Sequence, residues 1–221
     1  GNRTKDVANL FRDALVQGGF RTDDISIVPM DETVFMTTTW KGSDPSLRPL
    51  VFLGHMDVVE AKSSDWQRDP FTPVVENGYL FGRGATDMKL ADTLLISSVL
   101  ELRREGYAPR RTIILAFSGD EETAMQTGAA LAEKLSGAEM VINVDGTGGV
   151  LNEKTGKPEY FSWVGAEKTY ADYRLSVTNA GGHSSEPRPV NAIDQLAAAL
   201  LRIQAYHFRP ELNEVSRAYF N

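Results

Sequence analysis

One histidine and a series of carboxylates are spaced along the first two thirds of this chain in a pattern suited to metal chemistry: His55-Met56-Asp57, Asp87, Glu121-Glu122 and Asp145. With no cysteine in the chain, any metal must be held by imidazole and carboxylate, the donors that suit zinc and also cobalt or manganese. A two-metal hydrolase needs neutral imidazole, a carboxylate shared by both ions, terminal carboxylates and a base beside the bound water. His55 can supply the imidazole, and Asp57, two residues on, can orient it through the other ring nitrogen. Asp87 can bridge. Glu121 and Glu122 are adjacent, so their side chains point different ways and one can bind metal while the other faces the water.

Three of these clusters directly follow short apolar runs, at residues 50–53, 112–117 and 140–144. Each run is too short for an independent helix and is rich in Val, Ile, Leu and Phe, as buried strands of a parallel sheet are. Helix-like stretches between them supply the crossovers that parallel strands require, which predicts an α/β fold with a mostly parallel twisted sheet flanked by helices. In such sheets functional groups gather beyond the carboxyl ends of the strands, where the clusters fall.

The rest of the pattern fills in around that sheet. A first helix is expected from Thr4 as N-cap, with Val7, Leu10, Phe11 and Leu15 inward, ending at Gly18-Gly19. Residues 25–28 and 34–39 read as strands with Asp31-Glu32 in the turn. Residues 74–80 read as a hairpin turning at Asn77-Gly78 in a type I′ conformation. The glycines of 82–87 permit tight turns that aim Asp87 inward. Leu90, Leu94, Leu95, Val99 and Leu102 predict a helix over 88–104 that covers the sheet, and a second is expected over 128–135.

From about Phe161 the character changes. Residues 170–177 alternate as an antiparallel strand, with Trp163, Tyr170 and Tyr173 as strand packing. A Gly/Ser/Pro-rich loop follows, and then an Ala/Leu-rich helix over 191–206 with Asn191 as its cap. This places a boundary near Val164, between a metal-binding domain at 1–163 and part of a smaller α+β domain at 164–221.

Composition narrows the classes. The chain has 221 residues, 42% hydrophobic and 24% charged, as soluble globular domains do. A formal net charge of -7 argues against a nucleic-acid surface, since no Lys/Arg stripe stands ready to release counterions. No stretch is long and apolar enough to span a bilayer, and residues 1–20 lack the layout of a signal peptide. Without cysteine there are no disulfides. The expected location is cytoplasmic, or periplasmic where a signal peptide has been removed.

Five motifs in order resemble those of the M20 metallopeptidases: Gly54-His55-Met56-Asp57-Val58-Val59, the run from Gly82 to Lys89, Ser118-Gly119-Asp120-Glu121-Glu122, Asn143-Val144-Asp145-Gly146, and Gly182-His183-Ser184-Ser185 with Asn191-Ala192-Ile193 downstream. The resemblance implies His55 and Asp145 on one zinc, Asp87 bridging, Glu122 on the other zinc, Glu121 as general base and Asp57 supporting His55. It implies that His183, from a smaller lid domain, stabilises the tetrahedral oxyanion, often across a homodimer formed through that lid. The implied substrates are small peptides, for a carboxypeptidase or dipeptidase, or N-acyl amino acids, for a deacylase using the same site. Aspartate at position 145 is commoner in the peptidase branches.

Two departures accompany the resemblance. Members carry a final histidine ligand far downstream, and nothing after His207, which matches no ligand motif, supplies one before Asn221; by this reading the chain is a fragment lacking the C-terminal part. Leu90 stands where many relatives have glycine. Taken singly, His-x-Asp also suits a hydrogen-bonded loop pair, Asp-Glu-Glu a solvated helix start and Asp145-Gly146 a turn, and the chain could be a non-catalytic fragment or dimerisation module. Only the metal reading explains why the acids follow three strands in one order.

Overall fold

The computed structural model describes residues 3–146, 148–165 and 170–220. The chain divides into two compact units, Gly1–Phe161 and Ser162–Asn221.

Helix α1 (Thr4–Gln17) buries Thr4, Ala8, Phe11 and Leu15. That stripe differs from the expected one: Leu10 is exposed, and Thr4 is the first helical residue rather than the cap. The Thr4 hydroxyl is engaged inside, 2.8 Å from the Thr33 hydroxyl, and Ala8 rather than Leu10 is buried beside Phe11 and Leu15. The helix ends as expected, with Phe20 N–H donating to the Leu15 carbonyl and Gly19 at a positive φ of 92° that a side chain would resist.

Strands β1 (Ile25–Met30) and β2 (Thr33–Trp40) form a hairpin turning at Asp31 and Glu32. β3 (Leu50–His55) is followed by the small hairpin β4 (Val74–Glu76) and β5 (Tyr79–Phe81), whose Asn77 and Gly78 both have positive φ, as a type I′ turn requires. Helix α2 (Ala91–Arg104), β6 (Ile113–Ser118), α3 (Gln126–Lys134) and β7 (Met140–Asn143) follow, and a further hairpin of β8 (Gly149–Leu151) and β9 (Pro158–Phe161) closes the first unit.

The main sheet has the order β1-β2-β6-β3-β7. It is mixed: β1, β2 and β6 pair antiparallel, whereas β6, β3 and β7 run parallel. Helices flank both faces, so β6 is apolar on both sides. Leu115 and Phe117 pack with Phe11, Leu15, Met36, Ile96 and Val99 against α1 and α2. Ala116 packs on the other face with Phe35, Val51 and Leu131 of α3. β7 departs from the buried strand expected: it is the sheet edge among the described residues, and Met140, Val141 and Ile142 are exposed.

α2 also departs from expectation. Its buried residues are Asp92, Ile96 and Val99, while Leu90, Leu94 and Leu102 are exposed. The turn before it, Ala85–Leu90, is irregular at Asp87 and Met88, and Met88 is buried beneath the site. Positions 92, 96 and 99 lie at helical spacing and form the inner stripe of α2.

In the second unit, helix α4 (Ala192–Gln204) begins as predicted, with the Asn191 side chain accepting from Asp194 N–H at 2.9 Å, and α5 (Glu214–Phe220) follows. Residues 170–177 form no strand among the described residues, and Trp163, Tyr170 and Tyr173 are exposed rather than packed. A strand needs a hydrogen-bonding neighbour, and this unit offers none there. Among the described residues, no helix is long and apolar enough to cross a membrane.

Candidate metal centre

Parallel register brings the functional residues to one edge of the sheet. His55 ends β3 opposite Ser118, the last residue of β6, and Leu53 lies opposite Asn143, the last residue of β7. Glu121 and Glu122 therefore emerge on one side of His55 and Asp145 on the other, because β3 lies between β6 and β7.

His55 is only 1% exposed, and its position is set from several directions. Its backbone N–H donates to Met88 Sδ at 3.0 Å. Its Nδ1 lies 3.2 Å from the Asp57 carbonyl oxygen and 3.5 Å from Asp57 Oδ1. A carbonyl can only accept, so Nδ1 carries the hydrogen, and in the neutral ring Nε2 is left as a bare lone pair. Nε2 faces Asp87 Oδ1 at 3.0 Å and Asp145 Oδ2 at 3.7 Å. Gly54 is required here, since a Cβ on it would lie 2.4 Å from Asp92 Oδ1.

Asp57 does more than face the imidazole. Its two carboxylate oxygens accept from Glu121 N–H at 3.1 Å and Glu122 N–H at 2.9 Å. Burial raises its pKa, but the His55 contact and these N–H donors outweigh that and hold it below the ordinary value, so it stays ionised. One carboxylate thus ties the end of β3 to the loop after β6.

Two groups of ligand atoms lie within 4.8 Å of one another, His55 with Glu121 and Glu122, and His55 with Asp87 and Asp145. His55 is common to both. Burial opposes a charge on its ring, yet the carboxylates of Asp57, Asp145 and Glu121 prevail and raise its pKa to about 9. Glu121 is raised by burial and by Glu122, Asp145 and Asp57, with His55 opposing; Glu122 is raised by burial and by Asp87 and Asp57, with His55 again opposing. The crowding of negative charge that raises Glu121 and Glu122 is what a divalent cation relieves, so the donor set fits such an ion.

The motifs include Lys89 without giving it a role, and Asp92 lies outside them. Lys89 Nζ donates to the Met56 carbonyl at 2.5 Å, and burial depresses its pKa against the pull of Asp92, Asp57 and Asp87. Asp92 is fully buried with neither carboxylate oxygen hydrogen-bonded, and burial raises it to about 7. An acid at a helix position gives no sequence signal of facing inward. His183 lies in the second unit, in an exposed turn where Ser185 N–H donates to its Nδ1 at 3.2 Å. That bond leaves Nε2 as the hydrogen-bearing nitrogen of the neutral ring. His207 is exposed in the same unit.

A mixed α/β sheet that gathers a buried histidine and flanking carboxylates at the ends of its parallel strands defines a candidate metal centre of the co-catalytic type. The model for peptidase family M20/M25/M40 matches residues 51–215, and the chain belongs to that family, as the motifs indicated. It is 35% identical over 184 residues to a probable carboxypeptidase S-like 2 of Dictyostelium discoideum, covering 79% of this chain and 35% of that protein. It is 33% identical over 172 residues to an N-fatty-acyl-amino acid synthase/hydrolase of Mus musculus, covering 75% and 34%. Human carnosine dipeptidase 1 superposes with a TM-score of 0.53 at 27% identity, covering 63% of this chain and 32% of that one. The chain spans about a third of the length of the curated relatives it matches.

Proposed function

We propose that the protein is a metal-dependent hydrolase that cleaves an amide bond in small peptides, of carboxypeptidase or dipeptidase type. The observation that carries this reading is the pair of ligand groups meeting at His55, with Asp57 bonded to both the histidine side and the glutamate loop. His55, Asp87 and Asp145 would hold one ion, and Glu122 the other with Asp87 shared; zinc suits these donors, as do cobalt and manganese. Ions so bound acidify water and polarise a carbonyl.

The chain's own residues then divide the work. Glu121, its pKa raised, takes a proton from the attacking water on a carboxylate oxygen and returns it to the leaving nitrogen. Asp57 fixes the His55 tautomer and the glutamate backbone together. His183 offers Nε2–H to the developing oxyanion, a donor role its Ser185 contact favours. Residues 1–163 form the metal-binding domain in this reading and 164–221 part of a lid, through which the protein dimerises by exposed Ile193, Leu200 and Leu201 of α4.

A second reading, hydrolysis of N-acyl amino acids at the same site, is favoured by the likeness to the Mus musculus protein. The test is a steady-state assay of the zinc-loaded full-length protein on dipeptides and on N-acyl amino acids, before and after chelation. Turnover of dipeptides that chelation abolishes is expected. Turnover of acyl substrates alone would favour the second reading, and activity indifferent to chelation would sink both.

A further inference from the structure

The residue before the two glutamates is an aspartate that does not face the ligand groups. Asp120 is 5% exposed and directs its carboxylate inward and down the chain, toward the start of α3. Oδ2 accepts from Gln126 N–H at 2.9 Å, Oδ1 accepts from Thr127 N–H at 3.0 Å, and the Thr127 hydroxyl also donates to Oδ1. The backbone closes on the same residue, with Thr123 N–H and Met125 N–H donating to the Asp120 carbonyl at 3.2 and 2.8 Å. The Thr127 hydroxyl in turn accepts from Gly119 N–H at 2.9 Å, and the Gly119 carbonyl accepts from the Thr33 hydroxyl at 2.6 Å. A Cβ on Gly119 would sit 2.1 Å from the Val34 carbonyl oxygen, so the loop is pressed against β2.

Asp57 holds the amides of Glu121 and Glu122 from one side, and Asp120 winds the chain that follows them around its own carboxylate from the other. We propose that Asp120, relayed by Thr127, is a positioning residue that locks the loop carrying Glu121 and Glu122, and so sets where the base and the ligand stand. The proposal rests on the hydrolase reading for its effect on rate, but not for its effect on the loop. Charged acceptors bind N–H donors about twice as strongly as neutral ones, and a buried acceptor with three donors is replaced poorly by any other side chain.

The test compares Asp120→Asn, Thr127→Val and Thr127→Ser in the full-length, metal-loaded protein, with Leu131→Ala as a variant that loosens the packing of α3 without touching the anchor. In Asp120→Asn and Thr127→Val, amide hydrogen exchange across residues 119–127 is expected to accelerate about tenfold. Their kcat is expected to fall about 10- to 100-fold with KM within about twofold, as a misplaced catalytic group gives. Thr127→Ser, which keeps the hydroxyl, is expected to stay within about twofold of wild type, and Leu131→Ala to lower Tm while leaving kcat unchanged well below it. Unchanged exchange, or accelerated exchange with undiminished kcat, overturns the proposal. Wild-type protein that cleaves no amide overturns the hydrolase reading alone, and the exchange comparison then decides the anchoring by itself.

Discussion

Replacing Asp92 by asparagine tests how this fold carries a buried acid. Asp92 has no exposed surface and no hydrogen-bond partner for either oxygen, and its carboxyl is pushed from the ordinary 3.8 to about 7. Burial is the main cause; the nearby Lys89 and His55 charges oppose it and Asp145 adds to it. The native state therefore binds this proton more tightly than the unfolded chain does, so stability falls as pH rises from about 3.8 and levels off above about 7. At 1.36 kcal/mol per pH unit, the full swing is about 4 kcal/mol. Asparagine keeps the shape without the charge, and its buried amide adds a constant penalty of about 1–3 kcal/mol that does not vary with pH. The stability of Asp92→Asn relative to wild type should thus climb by about 4 kcal/mol between pH 4 and pH 8 and then stay level. Urea unfolding of both proteins across that range in the presence of a chelator measures the difference, and a relative stability that stays flat within about 1 kcal/mol would show the argument to be wrong.

Glu121→Gln should retain its metal by elemental analysis while kcat falls by about 10² to 10⁴, the size of a lost general base; near wild-type turnover would remove Glu121 from that role. In metal-free protein His55 has its pKa raised from 6.5 to about 9, so its contribution is fully present below pH 6.5 and is lost as pH rises through about 9. That loss, about 3 kcal/mol, should appear in urea midpoints of the chelated protein and be absent from His55→Gln. Gly119→Ala should destabilise by about 3 kcal/mol, because its Cβ meets the Val34 backbone carbonyl, which cannot move aside, as well as the Thr33 hydroxyl; a thermal scan showing no change would contradict the close approach.

The strands of the main sheet, the first two hairpin turns and the Asn191 cap were legible in the sequence because each depends on neighbours a few residues away: β-branched runs, Asp-Glu and Asn-Gly at turns, an amide acceptor three residues before a free N–H; the hairpin of β8 and β9 was not. The inner faces of α1 and α2 were not. Both helices have apolar residues enough for two overlapping stripes, and only packing against the sheet chooses between them. Residues 170–177 show the same limit, since alternation can call for a strand but cannot supply its neighbour.

By itself the sequence marked His55, Asp87, Glu121, Glu122 and Asp145 as candidates for one chemistry, since residue type, and for all but Asp87 a position after an apolar strand, are written in it directly. Tertiary structure decided that β3 lies between β6 and β7, so that His55 joins both ligand groups, that Asp57 grips the glutamate amides, and that Asp92 is sealed beneath them. Strand order and buried contacts join residues dozens of positions apart, and the energies that select among such pairings arise only when the whole core packs at once.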